Sequence, residues 1–69
     1  MKVEAVDVAN NIICVATIIN LKPNQIKIRF DGWGKTYDTW MKVESNNIHP
    51  VGWCEEMEKT LCPPKGKFI

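Results

Sequence analysis

The chain has 69 residues, 45% of them hydrophobic, and nine basic against eight acidic side chains leave a net charge of +1. This is one small domain near the lower size for folding alone, not a disordered chain. The near-balance of charge argues against a dedicated nucleic-acid binder, and no apolar run approaches the roughly 20 residues of a membrane-spanning helix.

Patterned sequence begins directly after Met1, so no signal peptide is expected. Residues 2–7 alternate at first, with Val3, Ala5 and Asp7 on one side, and predict a short strand. Asn10 and Asn11 mark a turn. Residues 12–19 are β-branched and small apolar residues, the pattern of a central strand buried on both faces. A turn is predicted over residues 20–24 with Pro23-Asn24 at its corner. Residues 25–30 then alternate cleanly: Ile26, Ile28 and Phe30 face one way, Lys27 and Arg29 the other.

Asp31-Gly32-Trp33-Gly34 is the next turn, in which both glycines allow Trp33 to be presented. Residues 36–43 resume an extended pattern beginning at Tyr37. Residues 44–47 are a loop, and Ile48-His49 is a short extended piece limited by Pro50. Residues 52–57 have the character of one helical turn, and Pro63-Pro64-Lys65-Gly66-Lys67 forms the exit. Short strands, tight turns and almost no helix predict an all-β fold, a small five-stranded SH3-like barrel with a short helical turn near its C-terminal end.

Cys14, Cys54 and Cys62 lack the paired short spacings of a zinc site, and only His49 is at hand to complete four ligands. They read as free thiols of a reducing compartment. No Ser/His/Asp or Cys/His arrangement points to catalysis. Asp31 and Asp38 are a carboxylate pair, but a domain this small leaves little room for a cleft, so no enzymatic activity and no cofactor are expected.

Four of the six aromatic residues fall in the eleven positions 30–40. Glycines around a tryptophan make a turn, turns face water, and large aromatics on an exposed turn suggest a binding site. Phe30, Trp33 and Tyr37 can meet at one end of a barrel, where ring faces attract a cation, each at about 0.5–2 kcal/mol. Trp40 and Trp53 are expected in the core. A carboxylate beside such rings accepts a hydrogen bond from an ammonium that keeps an N–H, as mono- and dimethyl-lysine do and trimethyl-lysine does not. Asp7 is the candidate; its other reading is a turn cap.

The strings Glu4-Ala5-Val6-Asp7, Ile13-Cys14-Val15-Ala16-Thr17, Phe30-Asp31-Gly32-Trp33 with Tyr37-Asp38 and Trp40, and His49-Pro50-Val51-Gly52-Trp53-Cys54 closely resemble the MBT (malignant brain tumor) repeat. The resemblance runs from about residue 2 to Pro64. It implies a Tudor-like barrel core over residues 1–64, here without the helical arm that usually precedes it, followed by a tail over 65–69. It also implies a methyl-lysine pocket made by Asp7, Asn10, Cys14, Phe30, Trp33 and Tyr37. The expected partners are histone tails carrying mono- or dimethyl-lysine, with other MBT repeats or chromatin proteins, in the nucleus and in Polycomb-type transcription repression. The alternatives are a non-binding scaffold repeat within a tandem array and nucleic-acid binding through Lys27, Arg29, Lys35 and Lys42, the latter disfavoured by the near-neutral charge.

Overall fold

The computed structural model describes residues 1–62. The expected exit at 63–67, the end of the barrel at 64 and the tail over 65–69 lie outside the described residues. Within them the chain forms β1 (Lys2–Asp7), β2 (Ile12–Lys22), β3 (Gln25–Phe30), β4 (Thr39–Lys42), β5 (Ile48–His49), the short helix α1 (Trp53–Glu56) and β6 (Leu61–Cys62). The sheet order is β4-β3-β2-β1-β5, all antiparallel, and β6 pairs in parallel with the start of β2. The result is a curled half-barrel, as the sequence pattern predicts. The two-residue β6 adds a strand to the five expected.

The register explains how the sheet curls. Val3 lies opposite Ala16, Ala5 opposite Cys14, and Ala16 opposite Phe30. Side chains at facing positions share one side of a sheet, so Val3, Ala5, Cys14, Ala16, Ile26, Ile28 and Phe30 form a single core. Its centre is built from small residues, which let the two halves of the sheet close around Ile28 and Phe30.

β2 departs from expectation in two ways. Only Cys14 and Ala16 of its eleven residues are buried, because the curled sheet has one packed face and the other is only partly covered. The strand also continues to Lys22, which pairs with Gln25, leaving Pro23-Asn24 as a two-residue turn. Asn24 adopts φ 72°, a left-handed conformation that asparagine tolerates. The register shifts between Ile18 and Asn20, a bulge that bends the long strand.

Glu4 was not singled out by pattern, yet it is 3% exposed. Its carboxylate accepts hydrogen bonds from the Gly52 N–H at 2.9 Å and the Cys54 N–H at 2.8 Å. Gly52 sits at the N-cap of α1 without a side-chain cap of its own. Glu4 therefore supplies the cap from the other end of the chain, satisfying donors that the helix leaves open. The Gly52 bond in particular holds its carboxyl below the ordinary range despite burial.

Neither Trp40 nor Trp53 joins the core. Trp40 pairs with Lys27 across β4 and β3 on the outer face. The Lys22 ammonium lies 4.4 Å and the Lys27 ammonium 5.9 Å from its ring centroid. Its neighbour Met41 packs inward instead. Trp53 stacks on His49 with centroids 3.6 Å apart and planes 6° from parallel.

Candidate binding site

The site is built from two connections at one end of the half-barrel. The first joins β1 to β2. Asp7 closes β1, and its carboxylate accepts from the backbone N–H of Asn10 at 3.3 Å and from Asn10 Nδ2 at 2.8 Å. Asn11 then takes φ 55° to turn the chain back. Asp7 is thus a turn cap, and the same carboxylate borders the hollow described below.

The second connection follows β3. Asp31 N–H bonds to Val15 O and Trp33 N–H to Phe30 O, each at 3.0 Å. Gly32 has φ 84°, a conformation that favours glycine. Gly34 has φ −75° and needs no such freedom, so only one of the two glycines shapes the turn. Residues Lys35–Tyr37 form a 3-10 turn, not the start of a strand. Tyr37 therefore lies outside the sheet, on the turn beside Trp33. The sequence around Gly34 offers no capping side chain to signal the turn; backbone bonds from Tyr37 to Gly34 and from Asp38 to Lys35 hold it.

Together these connections border a hollow of about 310 Å³. Asp7, Ala9 and Asn10 line one side, Phe30 the base of the strand, and Trp33, Thr36, Tyr37, Asp38 and Thr39 the other. The Trp33 and Tyr37 rings meet edge to face, with centroids 4.9 Å apart and planes at 78°. Phe30 is buried and Tyr37 is 55% exposed, so the rings run from the core to the rim. Five of the six residues expected at a pocket therefore border one hollow. Cys14 does not: it lies in the core, 3% exposed. Burial, then neighbouring Cys62 and the charge of Asp7, push its thiol up to about 11.

Asp38 is a lining residue that the pattern did not assign to the site. Arg29 donates two hydrogen bonds to it, Nε at 2.9 Å and an Nη at 2.8 Å. That fork holds the Asp38 carboxyl below its ordinary range and ties the 3-10 turn to β3. Its charge is matched by Arg29. Asp7 is held by neutral donors alone, and among the described residues it has no cationic partner. The hollow accordingly offers ring faces and one unmatched carboxylate, an arrangement suited to a small cation with an N–H to give. Among the described residues no three or more His, Cys, Asp or Glu side chains group as metal ligands.

Comparison with known proteins follows the same outline. A family model described as mbt repeat matches residues 1–68. The chain is 48% identical over 66 residues to Lethal(3)malignant brain tumor-like protein 1 of Gallus gallus, covering 94% of this chain and 8% of that protein. It is 45% identical over 67 residues to Lethal(3)malignant brain tumor-like protein 4 of Homo sapiens, covering 96% of this chain and 11% of that one. Among solved structures it resembles the four MBT repeats of Drosophila melanogaster Sfmbt in complex with the peptide RHR(me)KVLR. There the TM-score is 0.87 at 38% identity, over 93% of this chain and 15% of that chain.

Proposed function

The chain belongs to the MBT repeat family, and from that premise we propose that it reads mono- or dimethyl-lysine in histone tails by taking the side chain into the hollow beside Asp7. The observation that carries this reading is the pairing of opposed features in one small space. The Trp33 and Tyr37 rings lie edge to face on one side, and a carboxylate without a cationic partner lies on the other. Each ring contributes about 0.5–2 kcal/mol to holding a cation. Asp7 accepts the ammonium's remaining N–H, which trimethyl-lysine lacks. The hollow is near the small end of ligand sites, a size for one side chain and not for a folded partner. Affinity of tens to hundreds of micromolar follows, equivalent to about 5–6 kcal/mol.

The Sfmbt repeats were solved with a peptide carrying a methylated lysine, which supports the same ligand class here. The site, in this reading, holds its ligand by contact alone, without chemistry. In this reading the chain works in the nucleus, as a chromatin regulator in transcription repression. Titration of methyl-lysine peptides, followed by amide NMR, tests it. Asp7→Ala should abolish binding of the mono- and dimethyl peptides while the β2–β3 resonances stay in place. Unchanged affinity would remove Asp7 from the mechanism.

A scaffold role has one observation in its favour. Met1, Ile19 and Leu21 are exposed and, with Ile18, line a shallow apolar hollow that shares no residue with the methyl-lysine site. Such a patch suits contact with another repeat or chromatin protein. An isolated repeat that self-associates through Leu21 yet ignores every methylated peptide would favour this role over the first.

A further inference from the structure

The cysteines take no part in the binding just proposed, yet two of them meet. β6 runs parallel to β2, and the register sets Cys62 directly beside Cys14. Residues aligned across adjacent strands project to the same side, and neighbouring strands lie about 4.8 Å apart. A disulfide needs Cα atoms about 4.4–6.8 Å apart. The proximity of the Cys62 thiol is among the influences that raise the Cys14 thiol. Cys14 is enclosed by the core, while Cys62 packs at its edge and stays partly exposed. Cys54 is buried on α1, where its backbone N–H bonds to Glu4.

We infer that Cys14 and Cys62 are a disulfide-forming pair, oxidised reversibly by hydrogen peroxide or a related peroxide, and that the bond staples β6 to β2. The Cys62 thiolate attacks the peroxide. An S–O bond forms, the O–O bond breaks, and the departing hydroxide takes a proton to become water. Cys14 then attacks the sulfur of the Cys62 sulfenic acid. The S–S bond forms, the S–O bond breaks, and the leaving hydroxide departs with the Cys14 proton as a second water. Two thiols are oxidised by two electrons and one peroxide is reduced.

Burial assigns the roles. Cys14 is shielded from peroxide, and its raised proton affinity keeps it a thiol, which is a poor first nucleophile. Cys62 is the reachable sulfur, and a sulfenic acid condenses with an adjacent thiol. The two-residue β6 is the strand that can adjust to the bond. Because Cys62 stays partly exposed, the bond is reachable by reductant and of the readily reversed kind.

The test treats the full chain with one equivalent of hydrogen peroxide, alkylates remaining thiols and maps the digest by mass spectrometry. The expected product has lost two hydrogens, contains a linked pair of peptides bearing Cys14 and Cys62, and reverts with dithiothreitol. Its thermal midpoint rises above that of the reduced chain. Cys54→Ser should keep the link. Cys62→Ser, at the partly exposed edge, should abolish it without the risk to folding that a Cys14 variant carries. A link between Cys54 and Cys62, covalent dimers in its place, or Cys62 halting at sulfinic acid would overturn the inference.

Discussion

Asp7 and Asn10 are joined twice, through the asparagine's backbone N–H and through its side-chain amide. The second bond fixes which way the carboxylate points at the edge of the hollow. Asn10→Ala keeps the loop's backbone bond and frees the carboxylate to rotate. Methyl-lysine affinity should fall about tenfold, or roughly 1.4 kcal/mol, the scale of one hydrogen bond to a charged group. Calorimetry or NMR titration measures this, and equal affinity would show that Asp7 needs no such guide.

Glu4 gives a prediction about acid. Its folded-state proton affinity is lowered from an ordinary value of 4.5, first by the Gly52 N–H. The stabilisation is therefore complete above that value and is lost as pH falls through the lower folded value. Asp38, lowered by Arg29, adds a contribution of the same sign. Glu4→Gln replaces one acceptor oxygen with a donor that opposes a backbone N–H. It should cost about 1–3 kcal/mol at neutral pH and flatten part of the acid dependence. Urea unfolding at pH 7 and pH 3 separates the two effects.

The glycines of the aromatic turn should respond differently to the same change. Gly32→Ala forces a side chain into φ 84°, at about 1 kcal/mol. At Gly34 an added Cβ meets nothing within 4 Å, and alanine there should be neutral. Thermal unfolding of both variants checks this, and equal losses would contradict the turn geometry.

Two tryptophans distinguish site from surface. Trp33→Ala removes a ring from the hollow and should abolish methyl-lysine binding. Trp40→Ala removes the ring beneath Lys22 and Lys27 on the outer face. It should leave binding intact and cost about 0.5–1 kcal/mol per exposed cation–π contact. Peptide titration beside chemical denaturation of each variant reads both quantities.

These contrasts also mark what the sequence made legible. The alternation of residues 25–30 appears in the structure because β3 has one packed face, which a period of two reports directly. The pairing of Trp33 with Tyr37 followed from their crowding around a glycine turn. Asn10 entered through family resemblance, since nothing in its own surroundings announces that it holds Asp7. Glu4 stayed hidden because its partners are backbone N–H groups 48 and 50 residues away, and any residue type supplies those. Trp40 was misplaced because a large aromatic on a strand satisfies either face. The period there was obscured by the 3-10 turn that delays the strand to Thr39. Asp38 is legible as a carboxylate, but its neutralisation by Arg29 depends on the 3-10 turn folding back onto β3.

The Glu4 cap also sets a timetable for biosynthesis. Glu4 leaves the ribosome 48 residues ahead of Gly52 and 50 ahead of Cys54. The β1–β2–β3 meander can pair earlier, since its contacts are local, but that side of β1 remains open to water until α1 arrives. A nascent chain stalled before Cys54 would present a hydrated carboxylate where the finished protein has an enclosed one. Closure of the half-barrel therefore waits for α1 to emerge, and until then the apolar face of the nascent meander is open to contact with other chains.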